Sequence, residues 1–233
     1  MKKFIALLLA MIMVLSFAAC GASNGFDPAA KSEGTMTYAE YAAAEMGAEV
    51  VIECYVQNHQ SWWDNKITVY AQDPDGAYFL YEMSCSEEDA AKLVPGTKIK
   101  VTGYKGEWAG EVEVMDSTFE IMEGTWIAEA TDVTALLGTD ELINHQNKFV
   151  SFKGLTVEGI EYKNGEPGDD IYVTVGYNGA SYSFCVEMYL TGPDTEVYAT
   201  VGTLEVGDVV DIEGFLYWYE GVNTHITSVK VAE

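Results

Sequence analysis

The sequence predicts an all-β protein with short helices, built as two tandem five-stranded Greek-key barrels, and three observations support that fold. Leu93, Gly96, Gly103 and Gly110 recur as Leu204, Gly207, Gly214 and Gly221, each 111 positions later, with the spacing of 3, 7 and 7 kept. A pattern repeated at a fixed offset marks a duplicated unit. Short runs of alternating apolar and polar residues, bounded by Gly, Pro, Asn and Asp, fill both halves as strands require. In each half a single helical segment interrupts the strands after the third.

The elements follow in order. Thr37-Tyr38-Ala39-Glu40 has the form of a capping box and opens an alanine-rich helix running to Met46. Strands are expected over Val50 to Gln57, Lys66 to Asp73 and Ala77 to Met83. Asp73-Pro74-Asp75-Gly76 supplies the turn between the last two. Ser86-Glu87-Glu88-Asp89 starts a helix that is acidic in its first turn, as the macrodipole favours, and it ends near Pro95-Gly96. Thr97 to Tyr104 and Glu111 to Ile121 complete the first set. Asp132 to Leu137 and Asp140 to His145 read as brief connector helices separated by Gly138.

The second set begins with Lys148 to Ile160, then a hairpin of Ile171 to Tyr177 and Ser181 to Tyr189 around Asn178-Gly179, a type I′ turn signal. A helix over Asp194 to Leu204 and strands over Val209 to Phe215 and His225 to Val231 close the set. Three strands, a helix and two strands is the order of the OB-fold. The chain thus divides into a signal peptide (1–19), a flexible tether (20–35), a first barrel with its leading helix (36–124), a connector (125–146) and a second barrel (147–233).

Lys2 and Lys3, an apolar run from Phe4 to Ala19, and Cys20 behind Ala18 and Ala19 form a secretory signal. The segment Phe17-Ala18-Ala19-Cys20-Gly21 resembles the lipobox of bacterial lipoproteins, in which the cysteine is acylated and becomes the mature amino terminus. The resemblance implies a lipid anchor on the extracytoplasmic face, with the membrane met through that anchor only.

All 12 basic residues are lysines, against 37 acidic residues, for a formal net charge of −25. Removing Lys2 and Lys3 makes the balance two units more negative. Phosphate binding rests on Lys and Arg, and base readout leans on bidentate Arg, so this balance argues for no nucleic-acid partner. Three further cysteines remain: Cys54, Cys85 and Cys185. Cys54 and Cys85 could pair outside the cytoplasm, but Cys54 alternates with Val50, Ile52 and Val56 and reads as a buried small hydrophobe.

OB-folds bind ligands on strands two and three and on the loops joining strands one to two and four to five. The aromatic residues of this chain gather there: Trp62 and Trp63 in the first loop, Tyr104 and Trp108 at the four-to-five loop, and Tyr217, Trp218 and Tyr219 in the matching loop of the second copy. These are the candidate ligand-binding residues, because flat rings stack on sugars or prolines and Tyr and Trp add a polar tip. The competing structural reading is that the same rings pack the barrels together.

Asp73-x-Asp75-Gly76 begins like a calcium loop but lacks the third oxygen ligand and the distant Glu, and a turn explains all four residues. Glu166 to Asp170 reads first as a solvated loop. No metal or other cofactor is expected. His59, His145 and His225 lie apart, with no nucleophile motif beside them, so no catalytic residue is assigned. Two carboxylates facing each other in a cleft beside Trp108 would revive an enzyme reading.

The mature region resembles the tandem OB-fold lipoproteins of Gram-positive (Firmicutes-type) bacteria, through QSWWDNK (60–66), DGAYFLY (75–81), SCSEEDAAKLVPGTKIKVTGYKGEW (84–108) and EGFLYWYEG (213–221). The resemblance implies the fold and a cell-surface location, with no catalytic residue to carry over. The expected function is a lipid-anchored, non-catalytic protein recognising a glycan or an extracellular protein through its loop aromatics. Two other readings are a spacer of an envelope complex and, disfavoured by charge, a nucleic-acid binder by fold analogy.

Overall fold

The computed structural model describes residues 26–232. The signal segment, Cys20 and the start of the expected tether lie outside the described residues. A helix α1 (Tyr38–Ala43) precedes β1 (Glu49–His59), β2 (Lys66–Gln72), β3 (Ala77–Ser84), the short α2 (Glu87–Ala90), β4 (Thr97–Trp108) and β5 (Glu111–Thr125). These strands close a barrel in the order β1-β2-β3-β5-β4, with β1 paired to β4. The connector carries the two-residue β6 (Thr131–Asp132) and two 3₁₀ turns, Thr134–Leu136 and Leu142–His145. Then come β7 (Phe149–Tyr162), β8 (Ile171–Tyr177), β9 (Ala180–Val186), α3 (Met188–Thr191), α4 (Glu196–Val201), β10 (Val209–Phe215) and β11 (His225–Val231). Their order, β10-β11-β9-β8-β7 with β10 also paired to β7, repeats the first circuit. The fold is therefore all-β with short helices, in two OB-type barrels.

The recurring residues have a shared physical cause. Gly96 and Gly207 both sit at positive φ just before the fourth strand of their barrels, where a side chain is strained. Each donates its N–H to a buried valine carbonyl of the first strand, Gly96 to Val56 at 2.7 Å and Gly207 to Val157 at 2.8 Å. Gly103 and Gly214 lie where the fourth strand is overpacked by the fifth: a Cβ on Gly103 would stand 2.7 Å from the Ser117 Cβ, and one on Gly214 would meet the His225 carbonyl. The strand register shifts at both positions. Leu93 fills the first core and Leu204 packs in the second.

Local signals act as the sequence requires. Thr37 Oγ1 accepts from the Glu40 N–H and the Glu40 carboxylate accepts from the Thr37 N–H, closing the capping box of α1. Asn178 and Gly179 both have positive φ, as a type I′ hairpin needs. Cys54, Cys85 and Cys185 are free and buried. The aspartate of the 73–76 turn spends both oxygens locally: Oδ1 accepts from the N–H groups of Asp75 and Gly76, and Oδ2 accepts from the Tyr78 hydroxyl at 2.9 Å and pairs with Lys31.

Two expectations are corrected. The described part of the tether is not free: Lys31 Nζ sits 2.6 Å from the buried Asp73 carboxylate and Ser32 bonds Glu53, and just beyond it Met36 bridges Ile52 in parallel. A polar, aperiodic run conceals a strap anchored by a long-range ion pair and a hydrogen bond to a buried carboxylate. Tyr189 does not end a strand, because the Asp170 carboxylate accepts from the Met188 N–H at 3.0 Å and the chain turns into α3. The brief connector helices are present as 3₁₀ helices within the expected spans, and Val133, Leu137 and Leu142 insert into the second core.

Candidate functional site

Strand β2 beyond Lys66 and the first half of β3, Ala77 to Leu80, are buried on both faces. Inward residues such as Val69 and Leu80 fill the first barrel; outward Tyr70 and Phe79 join Phe215 and Tyr217 of the second barrel in a separate aromatic cluster. Tyr70 stacks on Phe215 with centroids 4.6 Å apart, and Phe79 meets Tyr217 edge-on at 5.1 Å. Offset and edge contacts of this kind stabilise beyond the apolar area they bury.

Polar bonds frame the layer. The Phe149 N–H donates to Gln72 Oε1 at 2.9 Å, Asn147 Nδ2 donates to the Val112 carbonyl at 3.0 Å, and the Ser61 N–H donates to the Tyr189 carbonyl at 2.8 Å. The ligand face common to OB-folds is thus covered in the first barrel by the second.

Beside this layer lies a cleft of about 890 Å³. In each barrel the third strand meets the fifth in a short parallel junction, Phe79 opposite Glu113 and Cys185 opposite His225, and both junctions line the cleft. Tyr81, Trp108, Tyr172, Tyr217 and Tyr219 supply further aromatic wall. Three carboxylates, Glu113, Asp170 and Glu187, line it as well. Among the described residues no lysine does, and the chain has no arginine.

The three acids differ in state. Asp170 is held by Lys163 Nζ at 2.9 Å and by the Met188 N–H. Glu187 is pushed up to about 7, chiefly by burial, with the Tyr189 and Leu190 N–H groups acting against it and the Asp170 charge adding to it. Its Oε2 is buried without a hydrogen-bond partner among the described residues, as is Asn223 Oδ1. Glu113 is only 5% exposed, its side chain has no hydrogen-bond partner among the described residues, and burial alone raises its carboxyl.

His225 is held neutral: burial lowers its imidazole to about 3, and its Nδ1 lies 2.6 Å from the Tyr70 hydroxyl. Burial also pushes the Cys185 thiol up, which keeps it protonated.

The aromatics singled out in the sequence are distributed differently from two separate platforms. Trp108, 56% exposed, meets Tyr219 across the barrel boundary at 5.2 Å, and both face the cleft. Tyr217 is buried, stacked on His225 at 4.2 Å. Trp218 packs against the second core and over Gly110, and its backbone N–H donates to the buried Glu111 carboxylate at 2.8 Å. Trp62 packs against the first core and donates its indole N–H to the Cys85 carbonyl at 2.9 Å. Trp63, 79% exposed, lines a smaller groove with Trp62 and Tyr189. Tyr104 is exposed on β4, outside both lining sets.

Glu113 and Glu187 are functional candidates that sequence reasoning missed. Glu187 is a lone acid in the apolar run FCVEMYL, and that interruption is the signal that could have found it; Glu113 alternates with Val112 and Val114 after Glu111 and carries no such signal. The carboxylates that line the cleft with Trp108 come from both barrels, Glu113 from the first and Asp170 and Glu187 from the second.

No family model matches the chain, and no curated protein is similar to it. Several solved structures are similar to it. A murine DNA-binding protein bound with double-stranded DNA is 12% identical, with a TM-score of 0.38 over 78% of this chain and 95% of that one. The p204 HINb domain is 13% identical, with a TM-score of 0.36 over 81% and 100%. The p202 HIN1 domain in complex with a 12-mer duplex is 9% identical, with a TM-score of 0.37 over 82% and 97%.

These findings correct the expected function and partners. Two of the three are described with duplex DNA, so the exclusion of nucleic acid drawn from charge does not stand, and none is described as a glycan-binding protein, a lipoprotein or an enzyme. At this level the likeness is one of chain path and carries no ligand across.

Proposed function

We propose that this protein is a non-catalytic binding protein that holds a small organic ligand in the cleft between its two barrels. The observation that carries the reading is the cleft itself: about 890 Å³, aromatic-walled, and dotted with a few buried polar groups. Small-molecule sites typically enclose roughly 300–1,000 Å³ with this mixture of lining. The aromatic layer that joins the barrels holds the walls in place, so the ligand would not have to order them.

The state of the reactive groups supports binding over catalysis. Asp170 is engaged by Lys163, His225 is neutral and bonded to Tyr70, and Cys185 is a buried thiol. None is an activated nucleophile beside a free base. The same reading places the protein on the extracytoplasmic face through Cys20, on the strength of the amino-terminal sequence. Labelled palmitate should enter the full chain and not a Cys20→Ala chain.

Native mass spectrometry of the full chain isolated from its own cells tests the cleft. The expected result is a small-molecule adduct that a Trp108→Ala/Tyr219→Ala variant loses. An adduct retained by that variant, or tight binding of a short DNA duplex to wild type and variant alike, would overturn the reading.

A further inference from the structure

We propose that the ligand of the interbarrel cleft is an organic cation, an ammonium group carried on an apolar or aromatic body; the inference rests on the cleft being a ligand site. The cleft offers acceptors in excess. Glu113 and Glu187 bring carboxylate oxygens, Asn223 brings a buried amide oxygen, and two of these side chains hold a buried oxygen with no partner among the described residues. Buried acceptors left unpaired are costly, and a ligand that donates to them recovers that cost. Glu187 Oε2 and Asn223 Oδ1 are these two atoms, and Glu113, 5% exposed and without a side-chain hydrogen bond among the described residues, adds a carboxylate to the same lining.

The rings select for the same chemistry. Tyr81, Trp108 and Tyr219 are partly exposed at the cleft wall, and an aromatic face attracts a cation within roughly 6 Å of its centroid. An anion would find no lysine in the described lining to pair with. A bare metal ion fits poorly as well, because no three His, Cys, Asp or Glu side chains among the described residues stand close enough to hold one. Carboxylates too dispersed for a metal ion suit a larger cation whose charge is spread over several N–H or N–CH₃ groups.

The test uses calorimetric titration of the full chain with phenethylamine and choline, against 2-phenylethanol as the neutral counterpart of the first. Phenethylamine is expected to bind at least tenfold more tightly than 2-phenylethanol. The Glu113→Gln/Glu187→Gln variant should lose that preference while leaving the alcohol's affinity within about twofold, since the substitutions keep shape and remove only charge. Thermal melting of the variant establishes that it is folded, and Glu113→Gln and Glu187→Gln singly serve if the pair is not.

Equal binding of amine and alcohol, abolished by Trp108→Ala, would overturn the cation and leave the cleft site standing. Binding of neither amine nor alcohol, while an unrelated cleft adduct is present in native spectra, also overturns the cation alone. No binding together with no adduct overturns both readings.

Discussion

Replacing Phe215 by alanine tests the aromatic layer on which the cleft depends. Phe215 ends β10, is 3% exposed, stacks on Tyr70 of the first barrel at 4.6 Å and contacts Phe149 at 5.4 Å. Truncating a buried phenylalanine costs about 3–5 kcal/mol through lost transfer energy and the cavity left behind. A chain of this size loses about 2–4 °C of melting temperature per kcal/mol, which places the expected fall at roughly 6–20 °C. The layer is also what couples the barrels, so the calorimetric transition of the variant should broaden or divide relative to wild type.

Differential scanning calorimetry reads both effects. Tyr189→Ala, an exposed aromatic outside the layer, provides the control and should move the midpoint by less than about 2 °C. A Phe215→Ala midpoint as close to wild type as that control's would refute the packing described.

Three further outcomes follow from the same contacts. Gly214→Ala should lose about 1–3 kcal/mol by urea denaturation, because the new Cβ would meet the His225 carbonyl and stand 2.9 Å from Thr224 Cγ2, whereas Gly159→Ala, with Thr174 at 3.7 Å, should change little. Lys31→Met leaves the buried Asp73 carboxylate without its cation; a loss of about 3–5 kcal/mol is expected, with proteolysis newly admitted between residues 27 and 36, and an unchanged urea midpoint would count against the strap.

Glu111, raised to about 8 mainly by burial, binds a proton in the folded state over a range where the unfolded chain has released it. Its contribution is therefore full below the unfolded pKa and is lost as pH rises toward 8. The stability of Glu111→Gln relative to wild type should improve steadily between pH 5 and 8, and a pH-independent difference would contradict the assignment.

The barrels were legible from local rules because those rules decide them. Alternation in Val50 to Gln57, the Asn178-Gly179 turn and the recurring glycines all report backbone geometry fixed within a few residues. The cleft was not legible, because it is made by residues far apart in the chain. Trp108 and Tyr219 were visible as loop aromatics, yet nothing near them indicates that they face one another.

Tyr217 follows β10 in a loop-like run of aromatics, and its burial depends on Phe79 and His225 arriving from other strands. A hint was present in β3, whose AYFLYEM run is largely apolar on both faces, whereas β2, KITVYAQ, alternates as a half-exposed strand does and gives no hint of its double burial. The strap escaped notice for the opposite reason: its composition is that of a linker, and only the buried Asp73 and Glu53 carboxylates fix it.

The most direct measurement of the central claim is a crystallographic fragment screen on the protein, reading where bound density accumulates. The account predicts a concentration of hits in the interbarrel cleft against Trp108 and Tyr219, with amine-bearing fragments enriched beside Glu113 and Glu187. Hits gathered in the Trp62–Trp63 groove, or spread over the surface with the cleft empty, would contradict it.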